Sequence, residues 1–165
     1  MTRRNIFLTI CAATILIVFI SYLLWPRPTA EQVMADFYAA IDRAEDMVMD
    51  PLILNSDTVA AVVILSVKDK SMKKRRYAIG FLGNEKISEA LPVLRSILAD
   101  KSEEEYFRAD ALESIYQIDR TEGLSLAQNC QSSEDFLSYI ASGLISGEHI
   151  PFQRTYIEAL VGDHN

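Results

Sequence analysis

The chain has 165 residues, of which 50% are hydrophobic and 24% charged, with only six Gly and five Pro. That is enough for one compact domain, and it argues against an all-β or low-complexity chain. All 23 acidic residues lie from Glu31 onward, accompanied by only 13 basic residues, so this part has a net charge of −10 and lacks the basic face that nucleic acid or an anionic lipid surface requires.

Residues 6–25 read IFLTICAATILIVFISYLLW, with no charge, Pro or Gly. At helical rise this run covers about 30 Å, the thickness of a bilayer core, and in lipid such a backbone must be a helix. Tyr22 and Trp25 stand where an interfacial aromatic belt belongs, and Pro26 and Pro28 end the helix. A cleaved signal peptide fits less well, because the run is long and its best site, Pro28-Thr29-Ala30, has Pro in place of a small residue. Leu8-Thr9-Ile10-Cys11 does not resemble a lipobox, with bulky Ile10 before the cysteine, and a buried core helix would keep a polar face. The reading is an uncleaved single-pass anchor over residues 1–28. Arg3 and Arg4 against Arg27 put the N-terminus in the cytoplasm and residues 29–165 outside it, at the periplasmic or extracellular face.

Thr29-Ala30-Glu31-Gln32 has the form of a capping box, which opens a helix running to about Met49, with Pro51 beyond its end. The Val-rich run from Val59 to Val67 could be a strand. It is read as a helix because nothing nearby would pair with a lone strand. Further helices are expected at about 72–83, 87–99, 103–117, 121–130 and 133–146, and from beyond Pro151 to about Val161. Ser102-Glu103-Glu104-Glu105 offers a cap and acidic first-turn residues for the helix at 103–117. Eight soluble helices, in four pairs, are thus expected.

An internal repeat runs through the middle of the chain. Arg75, Ala78, Leu82, Glu89 and Leu91 recur 33 positions later as Arg108, Ala111, Ile115, Glu122 and Leu124. Ala at the tight spot of the first helix lets the second approach, and Leu91, Leu94 and Leu98 fill the seam. The pattern Arg75-x-x-Ala78-Ile79-Gly80-x-Leu82-Gly83, then Ala90-Leu91-Pro92-x-Leu94, Leu98, Asp100 and Arg108-x-x-Ala111-Leu112 resembles the HEAT-like repeat family, including the short bacterial kind first noted in phycobilisome lyases. The resemblance covers Lys74 to Asp119. Asn84 stands where the family's intra-repeat turn has Asp, which Asp119 restores, and Ala99-Asp100-Lys101 matches the turn between repeats. A weaker echo, Arg154 to Ile157 with Val161-Gly162, suggests a capping half-repeat. The resemblance implies an all-α fold, a short αα-superhelix whose second helices line a concave face. The outward positions Arg95, Ser96, Gln128 and Asn129 are the candidate partner-binding residues there.

Chemistry-bearing patterns are scarce. His149 and His164 are the only histidines, and no His-x-x-x-His, Cys-x-x-Cys, Gly-rich phosphate loop or Gly-x-Ser-x-Gly is present. No metal site, cofactor or catalytic residue is expected. Cys11 and Cys130 are too differently placed to pair, and Cys130 reads as a small apolar filler rather than the nucleophile partner of His149. The dense charge feature is Lys68-x-Lys70-x-x-Lys73-Lys74-Arg75-Arg76, six of the 13 basic residues after the anchor. Lys73 and Lys74 could dock an acidic partner or lipid head groups. The competing reading, which is favoured, pairs the turn internally with Glu103–Glu105 of the next repeat. The expected function is a membrane-anchored adaptor or scaffold for a protein partner, itself basic if charge guides it, and in a sharper form an inhibitor or immunity protein. A lyase- or chaperone-like factor for a cofactor-bearing protein is the alternative implied by the resemblance.

Overall fold

The computed structural model of the chain describes Thr14, Leu16 and residues 27–40, 43–131 and 135–162. Among these residues there are nine α-helices and no strand. The expected anchor at 6–25 lies outside the described residues apart from Thr14 and Leu16, which are helical, and Cys11 and His164 lie outside them too. No single helix among the described residues is long and apolar enough to cross a membrane.

Helix α1, Ala30–Ala39, opens on the expected capping box: the Gln32 N–H donates to Thr29 Oγ1 and the Thr29 N–H to Gln32 Oε1. It does not run on to Met49. Lys74 reaches in and its Nζ donates to the carbonyls of Phe37 and Ala40, at 2.7 and 2.8 Å. Those are the acceptors another helical turn would have used. A single 3₁₀ turn, Glu45–Met47, follows. Pro51, expected only beyond a helix end, instead lies in the first turn of a short helix α2, Asp50–Ile53, where its missing N–H costs nothing. The Val-rich run is helical, as α3, Ser56–Ser66, and it buries Val59 and Val63 fully, as does Val67 at its end.

Four helices come next: α4, Arg75–Asn84, α5, Leu91–Ala99, α6, Glu105–Ile118, and α7, Arg120–Asn129. Pro92 lies in the first turn of α5. Helix α8, Phe136–Ser146, packs on α6 and α7. Helix α6 is the centre of the domain and touches α4, α5, α7 and α8. The helices carrying Arg75 and Arg108 therefore lie side by side, and Ala78, Leu82, Ala111 and Ile115 are fully buried between the elements. Close approach demands small residues at two crossings. A Cβ on Gly83 would lie 2.5 Å from Ser114 Cα, and one on Gly123 would lie 2.4 Å from Tyr116 Cα.

The two arginines do one job. Arg75 Nε donates to the Val67 carbonyl at 2.7 Å and Arg108 Nε to the Leu98 carbonyl at 2.9 Å. Each ties its own helix to the C-terminal end of the helix before it, where a cation suits the dipole. The turns leading into α4 and α6 match as well. In Asp69-Lys70-Ser71 and in Asp100-Lys101-Ser102, the Asp Oδ1 accepts from the Ser N–H at 2.9 Å and from the Ser hydroxyl at 2.7 Å. Ser102 is thus engaged by Asp100 and does not cap α6, which begins at Glu105 after Glu104 with no side-chain cap. Glu103, rather than lining the first turn, is buried against Arg75.

The C-terminal echo is not a further layer of this stack. Gly147, at φ 76°, turns the chain back after α8. Residues 148–155 then run as a strap without regular structure past α6 and α4 to α2, where helix α9, Tyr156–Val161, docks. Arg154, expected to stand as Arg75 does, is instead buried against Asp50 of α2, 104 residues away in sequence.

Candidate functional site

The strap crosses the faces of α6 and α4 and helps to enclose a cleft of about 420 Å³. Helix α6 contributes Asp110, Glu113, Ser114 and Gln117, at i, i+3, i+4 and i+7, which places them on one stripe. Helix α4 contributes Arg76, Tyr77 and Gly80, and the segment before α2 contributes Glu45, Asp46 and Met49. Pro151 and Phe152 of the strap complete the wall. The lining thus holds four carboxylates against a single guanidinium, with Met49, Tyr77, Pro151 and Phe152 as apolar surface.

The strap is held by side chains that grip its backbone. Asn84 Nδ2 donates to the Arg154 carbonyl at 2.7 Å, and the Arg154 N–H donates to Asn84 Oδ1 at 2.6 Å. Gln117 Nε2 donates to the Phe152 carbonyl at 2.8 Å. The His149 ring meets the Glu113 carboxylate, and the His149 N–H donates to the Gly143 carbonyl. At the far end the Arg154 guanidinium spans Asp50, with Nε 2.5 Å from Oδ1 and Nη2 3.0 Å from Oδ2, and comes within 3.7 Å of Asp46. An amide rather than a carboxylate at position 84 has a physical reason. An amide both donates to and accepts from the same backbone residue, which an ionised carboxylate, an acceptor only, cannot do.

Within the cleft, Arg76 is bidentate on Asp110, at 2.8 and 2.9 Å, and lies over the Tyr106 ring. Burial raises the pKa of Asp110 even though Arg76 pulls it down. Burial also raises Glu113, against the lowering effect of His149. The Tyr77 hydroxyl donates to Glu45 at 3.1 Å, and burial and this carboxylate push its pKa up. Desolvated carboxylates facing a partly apolar cavity make a place where a cation is favoured.

The candidate residues read from the sequence fall elsewhere. Arg95, Ser96, Gln128 and Asn129 are all exposed on α5 and α7. Arg95 is occupied by Glu122, with Nε at 2.5 Å and Nη2 at 2.7 Å, and Asn129 Nδ2 donates to the Ser125 carbonyl of its own helix. Lys73 is exposed, whereas Lys74 is half-buried at the end of α1, with its Nζ on the Phe37 and Ala40 carbonyls, and burial lowers its pKa. Three more residues of the basic run, Lys70, Arg75 and Arg76, are paired within the chain. Lys70 meets Asp100 at 2.7 Å, Arg75 Nη1 lies 2.9 Å from Glu103, and Arg76 is on Asp110. Cys130 and His149 are not brought together. Cys130 sits half-buried at the end of α7, where burial pushes its thiol pKa up, while His149 faces Glu113. Among the described residues no group of three His, Cys, Asp or Glu could hold a metal ion.

The cleft was missed because its acidic positions read individually as a solvated helix face. The usable signal was the polar stripe Asp110, Glu113, Ser114, Gln117 on the central helix of the domain. No family model, no curated protein and no solved structure matches the chain.

Proposed function

We propose that this chain is a membrane-anchored adaptor: a spanning helix at residues 6–25 holds a short αα-superhelix of HEAT-like repeats outside the cytoplasm, where it binds a basic region of a protein partner. The observation that carries the reading is the cleft, in which four carboxylates and one guanidinium line a cavity of about 420 Å³ in a domain already rich in acid. The side-by-side packing of α4 and α6, with Arg75 and Arg108 in matching roles, supports the repeat assignment. Charge complementarity would speed encounter with a basic partner and select against acidic ones. An inhibitor or immunity protein acting on a basic toxin or hydrolase is the sharper form of this role.

The test is isolation of the full chain, N-terminal segment intact, from its native membrane. A protein recovered in stoichiometric amount and released as salt is raised supports the adaptor. A bound chromophore or small molecule in its place, or no stoichiometric protein, overturns it.

A further inference from the structure

We infer that the cleft is a socket for a single arginine side chain of the partner, received beneath the strap by Glu45 and Asp46. This rests on the adaptor reading and names the site that would serve it.

The molecule already binds one arginine on the same face. The strap lies over α6 and α4 as an unstructured segment whose backbone is held by Gln117 and Asn84, and its Arg154 guanidinium is seated on Asp50 beside Asp46. In the neighbouring cleft Arg76 is taken by Asp110 and Glu113 is met by His149, which leaves Glu45 and Asp46 as the carboxylates with no close cation among the described residues. Among the described residues Glu45 is met by the Tyr77 hydroxyl, and Asp46 stands 3.7 Å from an Arg154 whose closer partner is Asp50. The volume, about 420 Å³, falls within the range of pockets that take small ligands. Its apolar walls, Met49 and Phe152, suit the three-carbon stem of arginine, and the planar fork suits a carboxylate bidentately. An acidic side chain placed there would be repelled by the two carboxylates, and a neutral one would gain no ion pair from them.

The experiment uses the full chain in lipid nanodiscs with ¹³C-labelled methionine methyls. Met49 lines the cleft and Met34 is buried on α1, so the second methyl serves as the internal control. The probes are N-acetyl-arginine N-methylamide and its neutral isostere, N-acetyl-citrulline N-methylamide. The expected result is a saturable shift of the Met49 methyl by the arginine probe, with an affinity of roughly millimolar and at least a tenfold preference over citrulline. Glu45→Gln, a change at an exposed side chain, weakens the arginine response, and Glu45→Gln with Asp46→Asn removes it while the thermal midpoint stays in place. Equal shifts from both probes, no saturable shift, or an undiminished response in the double variant overturns the socket. Partner capture from membranes that survives the double variant undiminished also overturns the socket but leaves the adaptor standing. Arginine binding at Met49 without any captured protein does the reverse.

Discussion

Replacing Asn84 with Asp is the sharpest perturbation of the strap. The Asn84 amide donates to the Arg154 carbonyl at 2.7 Å and accepts from the Arg154 N–H at 2.6 Å. A carboxylate keeps the second bond and loses the first, so two oxygens face each other in a buried place. It also sits beside Glu85, to which Asn84 Nδ2 donates at 2.9 Å. A buried carbonyl left without a donor costs about 1–3 kcal/mol, and the buried charge adds to that; about 2 kcal/mol is a conservative figure. The strap takes this loss, and trypsin reports it, because Arg154 is only 4% exposed and cleavage after it requires the strap to lift. With opening faster than cleavage, the rate follows the open fraction and rises roughly 30-fold. The defect is expected to reverse in acid. A carboxyl buried against a carbonyl and Glu85 has its folded-state pKa raised above the unfolded value of about 3.9. Its proton is therefore held more tightly in the closed form, and the variant recovers relative to wild type as pH falls below the folded-state pKa. Hydrogen exchange of residues 148–155 at about pH 3 measures that recovery. Equal tryptic cleavage of variant and wild type at neutral pH, or a gap in exchange that does not narrow in acid, refutes the role given to Asn84.

Two glycines three residues apart on α4 should respond with opposite signs to alanine. A Cβ on Gly80 meets only Met49 Sδ at 3.6 Å, so Gly80→Ala gains about 1 kcal/mol of helix propensity. Gly83→Ala presses on Ser114 Cα at 2.5 Å, beside the Ser114 Oγ–Ile79 carbonyl bond, and loses about 2 kcal/mol; urea midpoints separate the two. Lys74→Glu lowers the thermal midpoint by removing both donors to the end of α1, whereas Lys73→Glu stays within about 0.5 kcal/mol of wild type. Calorimetry across pH should give a midpoint that changes little from neutrality to about pH 5 and falls steeply below about pH 4. The carboxyls of Asp69, Asp100, Glu122 and Glu158 are held below the ordinary range by hydrogen bonds and ion pairs, so their contribution is lost as pH falls through their folded-state pKa values. Asp110 and Glu113, raised by burial, are protonated earlier and act in the opposite direction. A midpoint that climbs toward pH 3 would contradict these assignments.

The parts of the fold legible in the sequence were those set by local periodicity. Ala78 and Ala111, Leu82 and Ile115, and the Val59, Val63, Val67 stripe occupy the buried positions their spacing implies. What spacing could not reveal were contacts made across the sequence. Helix α1 stops short because Lys74, 34 residues beyond Ala40, takes its last carbonyls. The strap is fixed by bonds spanning 70 and 104 residues, and Arg154 carries the same local signature as Arg75 while doing a different job. Asn84 was visible as a departure from the repeat pattern, but its use depends on a segment that returns only after α8. The cleft inherits the same difficulty, since its walls come from four separate stretches of chain.

That shared origin ties strap and cleft together. Pro151 and Phe152 are walls of the cleft only while the strap is seated, and the strap stays seated through Asn84, Gln117 and the buried Arg154–Asp50 pair. Removing one member of such a pair strands the other and costs about 3–5 kcal/mol, so the seat at α2 is the firmest of the ties and the passage over α4 the more easily loosened. Asn84→Asp should therefore do two things at once: expose Arg154 to trypsin and weaken the response of the Met49 methyl to the arginine probe, although Asn84 is not among the residues that line the cleft. Glu45→Gln should weaken the same response and leave tryptic cleavage unchanged. If the strap opens in the Asn84→Asp variant while arginine still binds with wild-type affinity, the strap is a clamp on the stack and the cleft is built without it.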